Sequence, residues 1–143
     1  MNDHIRIFTA GDTARILDLP RRRVLFLAEA GVVRPSVESE GRGKRRRYSR
    51  HDLLMMSVTS LLDKFGVKPS LMKIIIDELV ELDGDATVAL WWQKGKLKHM
   101  AITEEERILS AMAPLEKGVV LMVSLAHIGG TLDYKIEETF RRR

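Results

Sequence analysis

Residues 9–31, TAGDTARILDLPRRRVLFLAEAG, contain the signals for two short helices separated by a tight turn. Thr9 is a suitable N-cap for the first helix. Pro20 disfavours helical geometry in the residue before it and is well placed to begin a second helix, which Gly31 would end. Each segment has apolar residues at helical spacing: Ala10, Ala14 and Leu17 in the first, and Val24, Leu27 and Ala28 in the second. Two helices joined this closely predict a helix-turn-helix.

Three arginines, Arg21, Arg22 and Arg23, occupy the first turn of the second helix. Cations at a helix N-terminus oppose the helix dipole, at a cost of roughly 0.3–1 kcal/mol each when exposed. In a helix-turn-helix this turn enters the major groove, where arginine can bond a guanine edge or grip a phosphate. The pattern therefore predicts DNA contacts, and the alternative is a solvated basic turn tolerated at small cost.

A basic stretch follows at residues 41–50, GRGKRRRYSR, with six cationic side chains in ten residues. We expect Val32 and Val33 to pair with residues 46–48 as short strands around a glycine-containing loop. Such a hairpin after a helix-turn-helix predicts a wing whose cations lie near DNA phosphates: Arg42, Lys44, Arg45, Arg46 and Arg47. Tyr48 is assigned to the same surface, and packing at the wing base is favoured for its ring over stacking on a base. The alternative is a solvated turn.

Two further helices complete the predicted N-terminal domain. Ser49 and Asp52 have capping-box spacing at the start of the third helix, whose apolar face is expected to reach Leu61 and Phe65. A fourth helix should begin near Pro69. The DGDA stretch at residues 83–86 is the clearest domain boundary in the chain.

The remainder has alternating strand and helix signals. TVALWWQ and KLKHMAI, joined at Lys94 and Gly95, predict a hairpin, and TEEE from residue 103 predicts a helix start. GVVLMVSL at residues 118–125 is typical of a buried strand, and a last helix is expected from about residue 133. The result is a small ββαβα module.

Aromatic residues mark a second candidate surface in this module. Trp91 and Trp92 are adjacent on a strand and must face opposite sides, so one can lie in the core while the other needs a cover. A partner subunit, a small-molecule ligand and ordinary packing against the last helix all remain open. With Tyr134 and Phe140 they form the predicted dimer or ligand surface.

Composition excludes several classes of site. The chain has no cysteine, so it has no disulfide and no thiolate metal site, and its four histidines show no ligand spacing. GRGK lacks the length and the Ser or Thr of a phosphate-binding loop, and no nucleophile–base pair is evident. We therefore expect no metal, no cofactor and no enzyme activity.

No apolar run approaches a membrane span and the N-terminus lacks a signal-peptide layout, so we expect a cytoplasmic protein without membrane contact.

Charge is distributed unevenly along the chain. Residues 1–50 hold twelve Lys and Arg against six Asp and Glu, a net +6, whereas residues 51–143 carry a net −2. A local basic excess indicates an anionic partner, and its position in a loop and a helix start favours nucleic acid over a membrane surface.

Together, these motifs resemble the N-terminal DNA-binding domain of MerR-family transcription regulators over residues 5–82. The matching features are Thr9, Ala14, the arginine-rich start of the second helix, and the AGVVRP, RRYS, HDLL and FGVKPS stretches. The resemblance implies a winged helix-turn-helix with two supporting helices that binds double-stranded DNA as a homodimer on a palindromic site. Two departures stand out. Leu25, Phe26 and Leu27 replace an Arg-Tyr-Tyr run common in the family, and strand signals replace the long coiled-coil helix after Leu82.

The sequence thus predicts an α+β protein with a DNA-binding domain at residues 1–82 and a dimerisation or ligand-binding module at residues 87–143. Its predicted function is sequence-specific regulation of transcription, with a homodimer as the active form and a small-molecule effector left open. The alternatives are an architectural or excisionase-like DNA binder and a scaffold protein whose basic wing meets an acidic partner.

Overall fold

The computed structural model describes residues 6–37, 46–82, 84–102 and 119–141. Within these ranges the chain forms an α+β fold with two small antiparallel sheets. In chain order the elements are β1 (Ile7–Phe8), α1 (Ala10–Leu17), α2 (Arg21–Glu29), β2 (Tyr48–Ser49), α3 (Arg50–Lys64), α4 (Pro69–Leu79), β3 (Thr87–Gln93), β4 (Lys96–Ile102), β5 (Leu121–Ser124) and α5 (Leu125–Arg141).

The predicted helix-turn-helix is confirmed in α1 and α2. Thr9 begins α1 through a capping box, because its Oγ1 accepts from the Asp12 amide at 3.0 Å while the Asp12 carboxylate accepts from the Thr9 amide. Asp18 ends α1 in the left-handed conformation, with φ of 52°, which an aspartate tolerates better than most residues. Leu19 and Pro20 then lead directly into α2.

The wing base pairs in a different register from the one expected. Val37 pairs with Arg47, and β2 pairs with β1, which the sequence analysis did not predict. Val32 and Val33 are not strand partners of residues 46–48. Their amides instead donate to the Leu27 carbonyl at 2.9 and 3.1 Å, which satisfies the C-terminal end of α2. The wing tip, residues 38–45, lies outside the described residues.

Asp52 fastens the wing base to α3. Its carboxylate accepts hydrogen bonds from the Ser49 amide at 2.8 Å and from the amide and hydroxyl of Ser36 at 2.8 and 2.7 Å. The predicted capping box at Ser49 is therefore confirmed, and it also holds the chain that leaves the helix-turn-helix. One buried side chain thus fixes where the wing begins and ends.

The C-terminal part is built on a three-stranded sheet with the order β4-β3-β5. The predicted β3–β4 hairpin is confirmed, and Lys94 and Gly95 both have positive φ, of 51° and 76°, as a tight hairpin turn requires. The helix expected from residue 103 lies outside the described residues. The strand expected at residues 118–125 is only partly buried: Val123 is in the core, whereas Val119 is 75% and Met122 45% exposed.

Helix α5 begins at Leu125, eight residues before the expected start near residue 133. Gly129 and Gly130 lie inside it, although glycine costs roughly 1 kcal/mol relative to alanine in a helix. Contacts with α1 and α3 stabilise the helix, and its buried residues recur at helical spacing: Leu125, Gly129, Leu132 and Ile136. Tertiary packing therefore overrides the local preference here.

One hydrophobic core runs through the described residues, from Phe8 in β1 to Ile136 in α5. Near the C-terminus, Phe140 stacks on Phe8 with ring centroids 6.0 Å apart. The expected burial of Leu61 and Phe65 is wrong, since they are 41% and 85% exposed. Among the helices in the described ranges, none has the length and apolar content needed to cross a membrane.

Candidate nucleic-acid interface

Arg21 and Arg22 are exposed at the start of α2. Neither forms an ion pair or side-chain hydrogen bond with any residue that the structure describes, and the first turn of α2 has no acidic residue. Pro20 provides no side-chain cap. This turn therefore presents uncompensated positive charge to solvent, next to backbone amides that also favour an anion.

Arg23 has different surroundings, although it belongs to the same arginine run. Its guanidinium lies 3.8 Å from Asp63 of α3 and 5.3 Å from the centroid of the Phe26 ring. These contacts direct Arg23 along the protein surface. The structure therefore separates the run into two available arginines and one that connects α2 to α3.

The outward face of α2 continues from Arg22 to Phe26 and Glu29 at helical spacing. Phe26 is 40% exposed, whereas Val24 and Leu27 on the opposite face are fully buried. Glu29 lies 3.7 Å from Arg46, so the end of α2 is joined to the wing base by an ion pair. The surface formed by these residues is basic at its start and apolar in its middle.

The structure places two of the five predicted wing cations. Arg46 and Arg47 are half-buried at the wing base, where Arg47 pairs through its backbone with Val37. Arg42, Lys44 and Arg45 lie outside the described residues.

Thr9 and Tyr48 have structural surroundings. Thr9 caps α1, and its carbonyl accepts a hydrogen bond from the Thr13 hydroxyl at 2.8 Å. The Tyr48 side chain is fully buried at the wing base. A side chain without exposed surface cannot touch DNA unless the core rearranges, so the position of Tyr48 agrees with the favoured packing role at the wing base and not with its assignment to the DNA surface.

Two cations that the sequence analysis did not single out lie beside this surface. Arg34 is exposed, lies five residues after the end of α2, and has no ion pair with the described residues. Lys73 of α4 places its Nζ 3.7 Å from where a Cβ on Gly31 would stand, at the end of α2. Arg34 could have been found from its place beside the wing, but Lys73 is brought there only by the packing of α4.

The four aromatic residues of the C-terminal surface have unequal exposure. Trp91 is buried, and its Nε1 has no hydrogen-bond partner among the described residues. Phe140 stacks on Phe8 of the same chain. Trp92 and Tyr134 are 42% and 68% exposed, so they remain available to a partner or a ligand.

Helix α5 is fastened to the helix that follows the wing. Arg50, the first residue of α3, donates two hydrogen bonds to Asp133, at 2.6 and 3.0 Å, and a longer one to the Gly129 carbonyl at 3.4 Å. The hydrogen bond to Asp133 raises the pKa of the Arg50 guanidinium above its ordinary value, so this guanidinium stays charged at any ordinary pH. Within the described ranges, no cluster of His, Asp and Glu is arranged to hold a metal ion.

Comparison with known proteins identifies the N-terminal part. A family model described as "MerR HTH family regulatory protein" matches residues 8–79, just over half of the chain. The match runs from Phe8 in β1 to Leu79 at the end of α4, which covers the helix-turn-helix, the wing and both supporting helices. A search of curated proteins gave no match.

Proposed function

Because the chain belongs to the MerR family of helix-turn-helix regulatory proteins, we propose that it binds a specific double-stranded DNA sequence with α2 in the major groove. DNA-binding regulation of transcription follows from the family. The proposal concerns the manner of recognition and assigns binding rather than catalysis to the chain.

The exposed pair Arg21 and Arg22 carries the proposal. Both sit at the helix start that enters the groove in helix-turn-helix proteins, and both lack a partner among the described residues. Arginine there can bond guanine O6 and N7 in a bidentate manner. Phe26, one turn further along the same face, adds an apolar group suited to a thymine methyl.

The wing supplies the second part of the proposed interface. Arg46 and Arg47 at its base, with Arg42, Lys44 and Arg45 in the sequence between, provide cations for the phosphate backbone. Phosphate contacts of this kind position a protein without reading sequence. Lys73 adds a cation near the C-terminal end of α2, and exposed Arg34 adds another in the chain that leads from α2 to the wing.

We propose that two copies of the chain bind a palindromic site, one on each half-site, and are related by its twofold axis. Support comes from two exposed apolar side chains on one face of the β4-β3-β5 sheet, Met100 and Met122, which both pair with Ala89 in the strand register. Exposed apolar patches mark interaction surfaces more often than chance would allow. Twofold pairing would double the DNA surface that one module covers.

Selection of bound fragments from random DNA, with the protected length measured, tests the proposal. We expect an inverted repeat whose half-sites lie about one helical turn apart, roughly 34–36 Å. Salt-dependent binding that enriches no sequence and bends DNA would indicate an architectural role instead. Absence of binding even at low salt would favour a scaffold protein.

A further inference from the structure

A cleft of about 500 Å³ lies between the turn of the helix-turn-helix, α3 and α5. Its apolar wall is formed by Leu17 and Leu19 beside the turn, Leu61 of α3 and Ile128 of α5. Leu61 is exposed although it belongs to the apolar face of α3, because that part of the helix faces this opening. We name it the turn cleft.

The polar side of the turn cleft is basic. Lys64 of α3 and Lys135 of α5 both line it, and neither forms an ion pair or a side-chain hydrogen bond with the residues that the structure describes. His127 adds a third nitrogen group, and Asp18 is the single carboxylate in the lining. The cleft therefore offers more positive than negative charge.

Hydroxyl groups form a third part of the lining. Ser57, Ser60 and Thr131 all line the cleft. The Ser57 hydroxyl already donates to the Leu53 carbonyl at 2.9 Å, so it can still accept a hydrogen bond. A lining that combines apolar side chains, hydroxyls and lysines suits a molecule that has both an apolar and an anionic part.

We propose that the turn cleft binds a small amphipathic carboxylate, with its anionic group between Lys64 and Lys135 and its apolar body on Leu17, Leu19, Leu61 and Ile128. The volume is within the range of ordinary ligand sites, about 300–1,000 Å³. The lining has two lysines and no arginine, so the anionic group would be held by point charges and not by a bidentate fork.

Occupancy of the cleft would act on the DNA-binding helix. Asp18 and Leu19 line the cleft and also form the turn that precedes α2. A ligand that contacts them differently in two conformations would shift the start of α2 and hence change DNA affinity. This regulatory consequence rests on the proposed function, whereas binding to the cleft does not.

Titration of the full chain with phenylbutyrate and with phenylbutanol, followed by backbone amide NMR shifts, tests the site. We expect saturable shifts in the turn, in the second half of α3 and in the first half of α5, with tighter binding of the acid than of the alcohol. Saturable shifts elsewhere, or equal affinity for acid and alcohol, would overturn the proposal, as would the absence of saturable binding.

Charge removal provides the matched comparison. Lys64→Met with Lys135→Met should weaken phenylbutyrate binding by about tenfold, because both ion pairs with the carboxylate are lost, and should leave phenylbutanol binding unchanged. Lys94→Met with Lys96→Met removes the same charge from the exposed β3–β4 turn and should leave both affinities unchanged. Equal losses in the two double variants would mean that only overall charge matters, which overturns the site.

A DNA readout separates the two proposals. If phenylbutyrate binds in the cleft and shifts the affinity for the selected DNA fragment, the regulatory role is supported. If it binds and DNA affinity is constant, the regulatory role fails and the site stands. If the chain binds no DNA at all, the proposed function fails, while the titration still decides the site.

Discussion

Arg22 and Arg23 are neighbours in the sequence but have different surroundings in the fold. Arg22 is exposed on the outward face of α2, whereas Arg23 contacts Asp63 and the Phe26 ring. We expect Arg22→Ala to lose about 1–3 kcal/mol of binding free energy on the preferred DNA site and less on random DNA. Arg23→Ala should lose less on the preferred site, because its guanidinium is already engaged. Fluorescence anisotropy with both DNA fragments measures the difference.

Two results would contradict the expected difference between Arg22→Ala and Arg23→Ala. Equal losses for Arg22→Ala on the preferred and the random fragment would show that Arg22 holds phosphate and reads no base. A larger loss for Arg23→Ala than for Arg22→Ala would mean that the ion pair with Asp63 breaks when DNA binds.

At the level of elements, α5 provides a matched pair of glycines. A Cβ on Gly130 would meet nothing within 4 Å, so Gly130→Ala should raise the free energy of unfolding by about 1 kcal/mol through helix propensity. A Cβ on Gly129 would stand 3.0 Å from Nη2 of Arg50 and disturb the hydrogen bonds of that guanidinium to Asp133. Gly129→Ala should therefore gain less than Gly130→Ala in urea unfolding. Equal gains would show that the Arg50–Asp133 pair contributes nothing to the attachment of α5.

The wing is the second element with a direct test. Arg45→Glu with Arg47→Glu should weaken binding to every DNA sequence and flatten the dependence of affinity on salt, because fewer counterions are released. Circular dichroism should confirm that the variant is folded, since Arg47 also pairs with Val37 at the wing base. If affinity and salt slope are unchanged in a folded variant, the wing does not contact DNA.

Local chemistry decided which elements could be predicted from the sequence. The starts of α1 and α3 were predictable because Thr9 and Ser49 cap them through residues only three positions away. The start of α5 was not, because contacts with α1 and α3 stabilise a helix that contains Gly129 and Gly130. The strand pairing at the wing base was missed for a local reason, because the amides of Val32 and Val33 donate to the Leu27 carbonyl at the end of α2 and are not available to a strand.

In the candidate site, too, some features could be predicted from the sequence and others depend on tertiary packing. The charge of Arg21 and Arg22 at a helix start was visible in the sequence, and so was the basic wing. The engagement of Arg23 by Asp63 was not, because it depends on how α3 packs beside α2. Lys73 was overlooked because only the packing of α4 brings it to the end of α2.

At the scale of the whole molecule, the sheet provides the test of the proposed pairing of two copies. Met122 is exposed on β5, an edge strand of the described sheet. Met122→Lys should therefore convert a dimer to a monomer in light scattering, because a buried unpaired ammonium is costly. Lys98→Met on the edge strand β4 is the control, because it also changes the charge of the sheet but removes an ammonium group and does not add one. A full chain that is already monomeric well above its DNA affinity would contradict the dimer.

The division predicted at residues 83–86 can be tested by ending the chain after Gly84. The shorter chain lacks Leu125, Leu132 and Ile136, all buried in the core that also contains Phe8. We expect it to lose cooperative thermal unfolding, since large apolar losses of this kind cost about 2–5 kcal/mol for each residue. Unchanged cooperative unfolding would show that residues up to Gly84 fold alone.

The stacking of Phe140 on Phe8 has a consequence for synthesis in the cell. A ribosome adds residues at about 5–20 per second, so α1 and α2 leave it many residues before the helix that covers them. The nascent helix-turn-helix would wait with an incomplete core until α5 emerges and packs on α1 and α3. Chains that stop before that point would lack the completed core around α1 and α2, and we expect them to bind DNA more weakly than complete chains.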